Sequence, residues 1–378
     1  MEKVRFGLIG CGNIVKIGHA PALEKLIQDG EAFEFTAACD NRKAQVDMIA
    51  ARFGVKAYTD YRDMLDDVDC VLIATPHTTH YEIAHFFITH DKHVLLEKPL
   101  CNTREEVVSL IEESEKHDVI FQCAYPVPYW PGISIMKELL DSGKYGKINQ
   151  MSIWTEQYTG PKDQLPLHPG SVNWRGSAYY RNPYLKDALG GGQLWSHGCH
   201  YIDILLWFLG DPEKGVHMGT NTCTPLMERE GNSNVIIMFK NGTMGYHYGT
   251  WGARGSTHEY AFQVHTDEGM FEYLDKKAVL KFTSNYHPDP DKRTETIWNL
   301  GSTVGHATWR EIQHFFQCIR EHKQPLTNGR RALRGLDVIW ALYDAEDRNC
   351  IADLSHIKPI DMKIKNQAVC NCRLPDCV

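Results

Sequence analysis

Two histidines and a cysteine fall within four positions of one another in the stretch GGGQLWSHGCHYID, residues 190–203. Side chains of these types bind a metal ion, exchange a proton in catalysis, or simply pack inside a helix. On a helix, His197 and His200 share one side, whereas Cys199 points elsewhere, and no paired carboxylate follows to complete a zinc site. The sequence therefore predicts no metal here. It leaves a catalytic base and a packed core histidine as alternatives.

A second set of residues has the spacing of a nucleotide-binding turn. Gly10 and Gly12 directly follow an apolar strand in GLIGCGNI. Glycine lets the backbone approach a pyrophosphate at the start of a helix, which here would include Asn13 and Ile14. Val15 occupies the third glycine position of G-x-G-x-x-G, so the motif alone is a weak signal.

An acidic residue, Asp40, ends the next strand-like segment. A carboxylate at this position accepts hydrogen bonds from the ribose hydroxyls of adenosine and repels a 2′-phosphate, which favours NAD over NADP. Arg42 follows closely and would stack on adenine or pair with a phosphate, which moderates that preference. The alternative is a glycine turn in an unrelated doubly wound domain.

The first third of the chain alternates apolar strand segments with amphipathic helix segments. Gly54 and Thr103 have the residue types expected for a helix end and a helix N-cap. Continuous apolar strands separated by such helices predict an α/β domain with a parallel sheet covered on both faces. The predicted strands are 4–10, 33–40, 68–76, 92–99 and 119–126, and the predicted helices are 21–29, 42–54, 79–91 and 103–118.

The middle of the chain has the pattern of a mostly antiparallel sheet, with hairpin signals at 241–242 and 267–269. We expect a domain of residues 1–126, an α/β domain of residues 127–365, and a cysteine-rich tail of residues 366–378. In the second domain, strands are predicted at 147–158, 232–251, 260–274 and 277–283, and helices at about 195–209, 306–323 and 329–349.

The composition excludes several classes of function. The net charge is −8 and the chain has no lysine- or arginine-rich block, so neither nucleic acid nor an anionic membrane is expected as a partner. The longest apolar run is far too short to span a bilayer, and the N-terminus lacks a signal-peptide pattern. Most of the twelve cysteines lie in apolar segments, which predicts reduced thiols in a cytoplasmic protein.

A series of short motifs resembles the glucose–fructose oxidoreductase / inositol dehydrogenase / MocA family (Gfo/Idh/MocA). The resemblance implies a Rossmann domain, and an α/β domain whose large open sheet makes homo-oligomer contacts. It also implies hydride transfer between nicotinamide and a carbon of a sugar or polyol. The matching motifs span roughly residues 4–350: the glycine turn, Asp40, Thr75-Pro76 with His80, Glu97-Lys98-Pro99, GKYGKI, NWRG, GGGQL, GCHYID and WFLG.

The resemblance places Lys98 beside the nicotinamide, where its ammonium group would contact the reacting hydroxyl and the cofactor and would stabilise a developing alkoxide. Glu97 would contact the cofactor or orient Lys98. The turn after the third predicted strand would line the cofactor through Thr75, Pro76, His77 and His80.

His200 is then predicted to be the general base, because its unperturbed pKa lies close to working pH. Members of the family commonly carry an aspartate one helical turn earlier, at the position of Ser196. This chain therefore lacks a negative charge that would raise the histidine pKa. We expect His200 to act alone or with help from Asp203 or His197, and both histidines to contact the substrate. The alternative is a histidine packed in the core.

Aromatic residues near the motifs are candidates for sugar contact. Tyr125, Tyr129 and Trp174 would present flat faces to the C–H groups of a sugar ring or an aglycone, with Trp130 near them. Arg175 would contact cofactor or substrate, with a structural Trp–Arg pair as the alternative. His306 and Trp309 are weaker substrate candidates, for which core packing is the alternative.

The tail contains Cys370, Cys372 and Cys377, with Cys350 upstream. Thiols at this spacing could hold zinc or an iron–sulfur cluster at an oligomer contact. A fourth ligand is not evident, so unstructured tail thiols are favoured.

Three functions remain open. The first is NAD-dependent oxidation of a secondary hydroxyl, at C3, of a sugar or glycoside, and the neutral Ser196 together with the aromatic residues favours glycosides. The second is an NAD-assisted glycosidase or lyase, in which transient C3 oxidation acidifies the C2 proton and permits elimination. The third is a non-catalytic NAD-binding sensor, and the presence of Lys98 and His200 argues against it.

Overall fold

The computed structural model describes residues 3–157, 192–222, 229–253, 260–301 and 307–358. These residues group into two compact units. The first contains the chain up to Pro126 together with Ala307–Leu333, and the second contains the described residues from Val127 to Gly301 and from Arg334 onward. The sequence-based division of the chain into domains at residue 126 stays a prediction. The two compact units differ from that division, because Ala307–Leu333 belongs to the first unit.

The sheet of the first unit contains six strands, and all of its neighbouring pairs are parallel. The strands are β1 (Val4–Ile9), β2 (Phe33–Cys39), β3 (Lys56–Tyr58), β4 (Cys70–Ile73), β5 (His93–Leu96) and β6 (Phe121–Cys123). Their order is β3-β2-β1-β4-β5-β6. Successive strands are added on one side of β1 up to β3 and on its other side from β4 onward, so the strand order reverses between β1 and β4. In doubly wound sheets of this order, ligands bind beside the carboxyl ends of the strands at that reversal.

Helices α1 (Ala20–Gln28), α2 (Lys43–Phe53), α3 (His80–Ile88) and α4 (Arg104–Lys116) connect these strands, and a π-helical turn, Val15–His19, leads into α1. The helix end predicted at Gly54 is confirmed, since Gly54 takes a left-handed φ of 71°. The predicted N-cap at Thr103 is also confirmed. Its side chain accepts from the Glu106 N–H at 3.2 Å, and the Glu106 carboxylate accepts from the Thr103 N–H at 3.1 Å.

The second unit contains a nine-stranded sheet in which the pair β7–β10 is parallel and the other neighbouring pairs are antiparallel. The mostly antiparallel sheet expected from the sequence is therefore confirmed. Its order is β14-β13-β12-β11-β7-β10-β9-β8-β15. The strands are β7 (Ile148–Glu156), β8 (Pro212–Thr220), β9 (Asn232–Phe239), β10 (Met244–Thr250), β11 (Tyr260–Thr266), β12 (Gly269–Leu274), β13 (Val279–Ser284), β14 (Thr294–Asn299) and β15 (Ala352–Asp353).

Two helices, α5 (Pro131–Asp141) and α6 (Cys199–Leu209), pack on this sheet. A second π-helical turn, Leu194–Gly198, leads directly into α6. A Cβ on Gly245 of β10 would lie 3.0 Å from Leu205 Cδ2, so glycine permits close packing of α6 on the strand. The side chains of α6 other than that of Trp207 are buried, which fixes the helix against the sheet.

Two further helices, α7 (Thr308–Glu321) and α8 (Gly329–Asp347), lie between β14 and β15 in the chain. Phe316 of α7 stacks on Phe33 at 4.6 Å and meets Phe6 edge-on at 5.6 Å, so α7 completes the core of the first unit. Trp309 packs against the same core, which supports the packing alternative for this residue. Within the described ranges, the structure contains no helix with the length and apolarity needed to cross a membrane.

Candidate active site

The glycine turn lies at the carboxyl ends of β1, β2 and β4. Gly10 has a φ of 88°, and its N–H donates to the Cys39 carbonyl at 2.7 Å. A Cβ on Gly10 would stand 2.6 Å from the Ala74 carbonyl oxygen, so only glycine allows the turn to approach β4 this closely. At Gly12 a Cβ would meet no atom within 4 Å. The turn therefore presents open backbone to a ligand where the helix begins at Asn13.

Asp40 lies against this turn and is 7% exposed. Its carboxylate accepts from the backbone N–H groups of Cys11 at 2.8 Å and Arg42 at 2.9 Å. The Arg42 guanidinium, which is largely exposed, donates to it at 3.2 Å. These bonds fix the carboxylate at the edge of the turn. The guanidinium donates to both carboxylate oxygens, at 3.2 and 3.5 Å, so ribose hydroxyls would bind Asp40 in place of the Arg42 side chain.

Val15 occupies the third glycine position of the motif. Its side chain is fully buried and faces the core, whereas the neighbouring Ile14 is 41% exposed. A side chain is therefore accommodated where the motif has glycine. The residues fit NAD on three counts: open backbone at Gly12 for the pyrophosphate, a helix start that favours negative charge, and a fixed carboxylate at Asp40 for ribose hydroxyls.

His80 contacts backbone carbonyls through both nitrogens of its ring. Its Nε2 contacts the Thr75 carbonyl at 3.0 Å, and its Nδ1 contacts the carbonyls of Pro99 and Leu100, each at 3.1 Å. It is 1% exposed. These contacts connect the turn at Thr75 and Pro76 to the segment after β5, and the expected cofactor contact of His80 stays a prediction.

Glu97 and Lys98 follow β5 directly. Glu97 is 8% exposed, and its Oε1 lies 2.7 Å from Nε2 of His19, a residue that is 2% exposed. Its Oε2 accepts from the backbone N–H of Lys98 at 3.0 Å. Burial would raise the pKa of Glu97, but the hydrogen bond from His19 and the charges of His19 and Lys98 outweigh burial and lower this pKa to about 2. Glu97 is therefore an ionised carboxylate beside Lys98.

Two other buried titratable groups belong to the same region of the first unit. Burial lowers the pKa of His77 to about 3, and the charges of His80 and Lys98 act in the same direction, so His77 is neutral. Burial raises the pKa of Glu311 on α7 well above its ordinary value, and the charge of Glu97 raises it further. These causes favour the protonated form of Glu311, in contrast to Glu97.

The second π-helical turn and α6 carry the remaining predicted catalytic residues. His197 and His200 are each 7% exposed, Ser196 is 2% exposed and Asp203 is 1% exposed. The two imidazole rings lie 6.0 Å apart, edge to face. Gln193 Nε2 lies 3.3 Å from His197 Nδ1. The structure thus places the two histidines side by side on one buried element.

The start of this element is fixed by a buried acid that the sequence reasoning missed. Glu230 Oε1 accepts from the Leu194 N–H at 2.9 Å and from the Tyr343 hydroxyl at 2.8 Å. The same hydroxyl accepts from the Trp195 N–H at 3.2 Å. Glu230 and Tyr343 therefore satisfy the first amide groups of the turn that leads to His200.

The aromatic candidates for sugar contact are buried. Tyr125 is 0% exposed and Tyr129 is 9% exposed. Trp130 is 2% exposed and packs edge-on against Tyr260 at 5.7 Å and Phe262 at 6.3 Å. The contacts of Tyr125 and Tyr129 with a sugar stay a prediction.

Several predicted residues lie outside the described part of the chain: Trp174, Arg175, His306, Cys370, Cys372 and Cys377. Within the part that is described, no group of three or more His, Cys, Asp or Glu side chains has the geometry to hold a metal ion.

His19 was missed in the sequence because its partner lies 78 positions away. The feature of the sequence that could have identified it is a histidine shortly after the glycine turn. Its pairing with the residue before Lys98 depends on the order of the parallel strands, which brings the ends of β1 and β5 to one edge.

Both halves of the chain match descriptions of known families. Residues 4–125 match the oxidoreductase family with the NAD-binding Rossmann fold, and residues 133–272 match the GFO/IDH/MocA C-terminal domain. The myo-inositol 2-dehydrogenase of Thermotoga maritima is 32% identical over 249 residues, which is 64% of this chain and 67% of that protein. The levoglucosan dehydrogenase of Pseudarthrobacter phenanthrenivorans is 25% identical over 318 residues, 72% of this chain and 77% of that protein.

Solved structures have the same fold. A levoglucosan dehydrogenase in complex with NADH and levoglucosan gives a TM-score of 0.81 at 21% identity, covering 93% of this chain and 99% of that chain. The WlbA dehydrogenase of Bordetella pertussis, in complex with NADH and UDP-GlcNAcA, gives 0.74 at 21% identity, covering 96% and 99%. With the glycine turn, Asp40 and the Glu97-Lys98 pair in place, this chain belongs to the Gfo/Idh/MocA family of NAD-dependent oxidoreductases.

Proposed function

We propose that this protein oxidises a secondary hydroxyl of a sugar or polyol with NAD, and that the hydroxyl is the one at C3 of a glycoside. The observation that carries the proposal is the position of Lys98. It follows β5 at the carboxyl edge of the Rossmann sheet, and its backbone is bonded to a buried, ionised Glu97. Relatives named for inositol and levoglucosan oxidation support a sugar or polyol as the substrate class.

The reaction needs a hydride acceptor, an acceptor for the hydroxyl proton and a cation beside the developing alkoxide. NAD, when bound, accepts the hydride. The Lys98 ammonium group donates a hydrogen bond to the reacting oxygen and stabilises its negative charge. His200 removes the hydroxyl proton, with His197 beside it. Asp40 binds the ribose hydroxyls of the cofactor, and the backbone around Gly12 binds its pyrophosphate.

The choice of C3 and of a glycoside rests on Ser196. Members of the family commonly place an aspartate at this position, whereas here a buried neutral hydroxyl precedes the histidines. Some family members that act on sugar C3 hydroxyls carry a neutral residue at this position, which supports the same choice for this protein.

The proposal is tested with purified protein, NAD and a substrate panel of levoglucosan, myo-inositol, free sugars and p-nitrophenyl glycosides. NADH formation is followed by absorbance, and the product is located by mass spectrometry and NMR. We expect a product two hydrogens lighter with its carbonyl at C3. A carbonyl at another carbon would reject C3. Nitrophenol released without net NADH would instead support oxidation followed by elimination.

The residue roles are tested with two pairs of variants. Lys98→Ala and His200→Ala should each lower kcat by about 10²-fold or more. Lys92→Ala, at the opposite end of β5, and His356→Ala, at an exposed site, are the matched controls. Turnover that survives Lys98→Ala and His200→Ala would remove both residues from the mechanism.

We also propose that the protein assembles as a homo-oligomer through the outer face of its second sheet. Val216, Ile236 and Tyr246 stand in register on three adjacent strands. Ile236 is 39% exposed, whereas its neighbours Val235 and Ile237 are buried. Side chains alternate between the two faces of a strand, so this row lies on the face opposite the buried one.

A further inference from the structure

The hydrogen bond between His19 and Glu97 joins two turns that contribute to different parts of the site. His19 ends the π-helical turn Val15–His19, which follows the glycine turn, and Glu97 follows β5. The Nε2–Oε1 distance is 2.7 Å, and both side chains are buried. An ionised carboxylate has no proton to give, so His19 must donate from Nε2.

The second oxygen of Glu97 is bonded to the backbone N–H of Lys98 at 3.0 Å. One buried carboxylate therefore connects the helix after the glycine turn to the backbone from which the Lys98 side chain extends. A buried charge needs partners for its lone pairs. Without the His19 donor, Glu97 would rotate toward another donor or take up a proton, and either change would release the Lys98 backbone.

We propose that His19 is a positioning residue for Lys98, acting through Glu97. This inference rests on the proposed function, which assigns Lys98 to the reacting hydroxyl. It goes beyond that function in naming what holds Lys98 in place. It also ties the position of Lys98 to the turn that binds the cofactor pyrophosphate. Displacement of a reacting group by about 1 Å costs about 10²-fold in rate, so the bond has a measurable consequence.

The kinetic test compares His19→Leu with His19→Gln, because Gln can donate from an amide nitrogen near the position of Nε2. We expect His19→Leu to lower kcat by about 10- to 100-fold while KM and the Kd for NADH change by less than about threefold. His19→Gln should restore kcat to within about threefold of the parent. His117→Leu, which removes a comparable histidine–carboxylate pair with Asp91 after the end of α4, is the matched control and should leave kcat unchanged.

A spectroscopic test needs no substrate. Lysines are reductively methylated with ¹³C, and the Lys98 signal is identified by its loss in Lys98→Arg. We expect this signal to move in His19→Leu and to stay near its parent position in His19→Gln. Thermal melts establish that each variant is folded. If His19→Leu does not fold, Glu97→Gln replaces it in both tests, with the same loss of kcat and movement of the signal expected.

The outcomes separate the two proposals. No sugar oxidation by the parent protein would reject the proposed function, while the Lys98 signal would still report on positioning. An unmoved Lys98 signal in a folded His19→Leu, or a kcat within twofold of the parent, would overturn the role of His19. The role of His19 would likewise be overturned if His19→Leu lost NADH affinity and kcat together and His19→Gln restored neither. That pattern would indicate a general structural role for His19.

Discussion

At the scale of single residues, the first unit contains two buried carboxyls whose pKa values are shifted in opposite directions. Hydrogen bonds and neighbouring charges lower the pKa of Glu97 to about 2, although burial opposes this. Burial, reinforced by the charge of Glu97, raises the pKa of Glu311 well above its ordinary value. A proton on Glu311 avoids a second negative charge near Glu97 in the interior.

This difference predicts how the protein's stability responds to pH. The pKa of Glu311 is higher in the folded state than in the unfolded chain, so the folded state binds this proton more tightly. The free energy of unfolding then falls as pH rises above the unfolded pKa, by up to about 1.4 kcal/mol per pH unit, until the folded pKa is passed. Glu311→Gln removes this pH-dependent fall in the free energy of unfolding, because the amide is neutral at every pH.

We expect the melting temperature of Glu311→Gln, relative to that of the parent, to rise as pH increases above 5, measured by calorimetry. Glu112→Gln, on the exposed side of α4, serves as the control and should give a constant difference. A difference that stays the same at all pH values, or that falls as pH rises, would contradict a raised pKa of Glu311.

At the scale of helices and strands, the sequence predicted what depends on local pattern. The end of α2 at Gly54 and the capping box at Thr103 follow from residues within one turn of each other. It did not predict β3, β8 or β14. The strand β3 has three residues, and its pairing with β2 comes from across the sheet rather than from an apolar run.

The same limit applies to the site. The glycine turn, Asp40 and the Glu97-Lys98 pair are short motifs and were visible in the sequence. The partners His19, which bonds Glu97, and Glu230, which bonds the turn before α6, are distant in the chain from the residues they contact. Burial of Tyr125 was also invisible, because an aromatic ring that fills a core and one that lines a pocket have the same local sequence.

The π-helical turn before α6 gives a prediction at this scale. The Tyr343 hydroxyl accepts from the Trp195 N–H and donates to Glu230. Tyr343→Phe leaves a buried N–H and a buried carboxylate each short of a partner, so we expect a loss of about 1–3 kcal/mol in the free energy of unfolding, measured in urea. Because His200 lies on the same element, kcat should also fall.

Tyr286→Phe is the control for this variant, since Tyr286 is 70% exposed and should change stability by less than about 0.5 kcal/mol. Equal stability of Tyr343→Phe and Tyr286→Phe would show that the hydroxyl of Tyr343 does not hold the turn.

At the scale of the whole molecule, each unit contains its own set of candidate residues. The first contains the glycine turn and Lys98. The second contains α6, to which the proposed mechanism assigns the proton acceptor, and a sheet whose outer face has exposed apolar side chains, including Met218 at 74% and Ile236 at 39%. Exposed apolar side chains on one sheet face are the basis of the proposed homo-oligomer, in which the same face of two copies would meet across a two-fold axis.

Glutamate at two of these positions, in the double variant Met218→Glu with Ile236→Glu, should therefore lower the molar mass measured by light scattering. Two buried charges per subunit would oppose association, whereas each subunit alone would expose them to water without penalty. Ile27→Glu changes an apolar residue on α1 of the first unit that is 50% exposed, and it should leave the molar mass unchanged. A parent protein that is monomeric at high concentration, or a double variant with the parent's mass, would show that the sheet does not join copies of this chain.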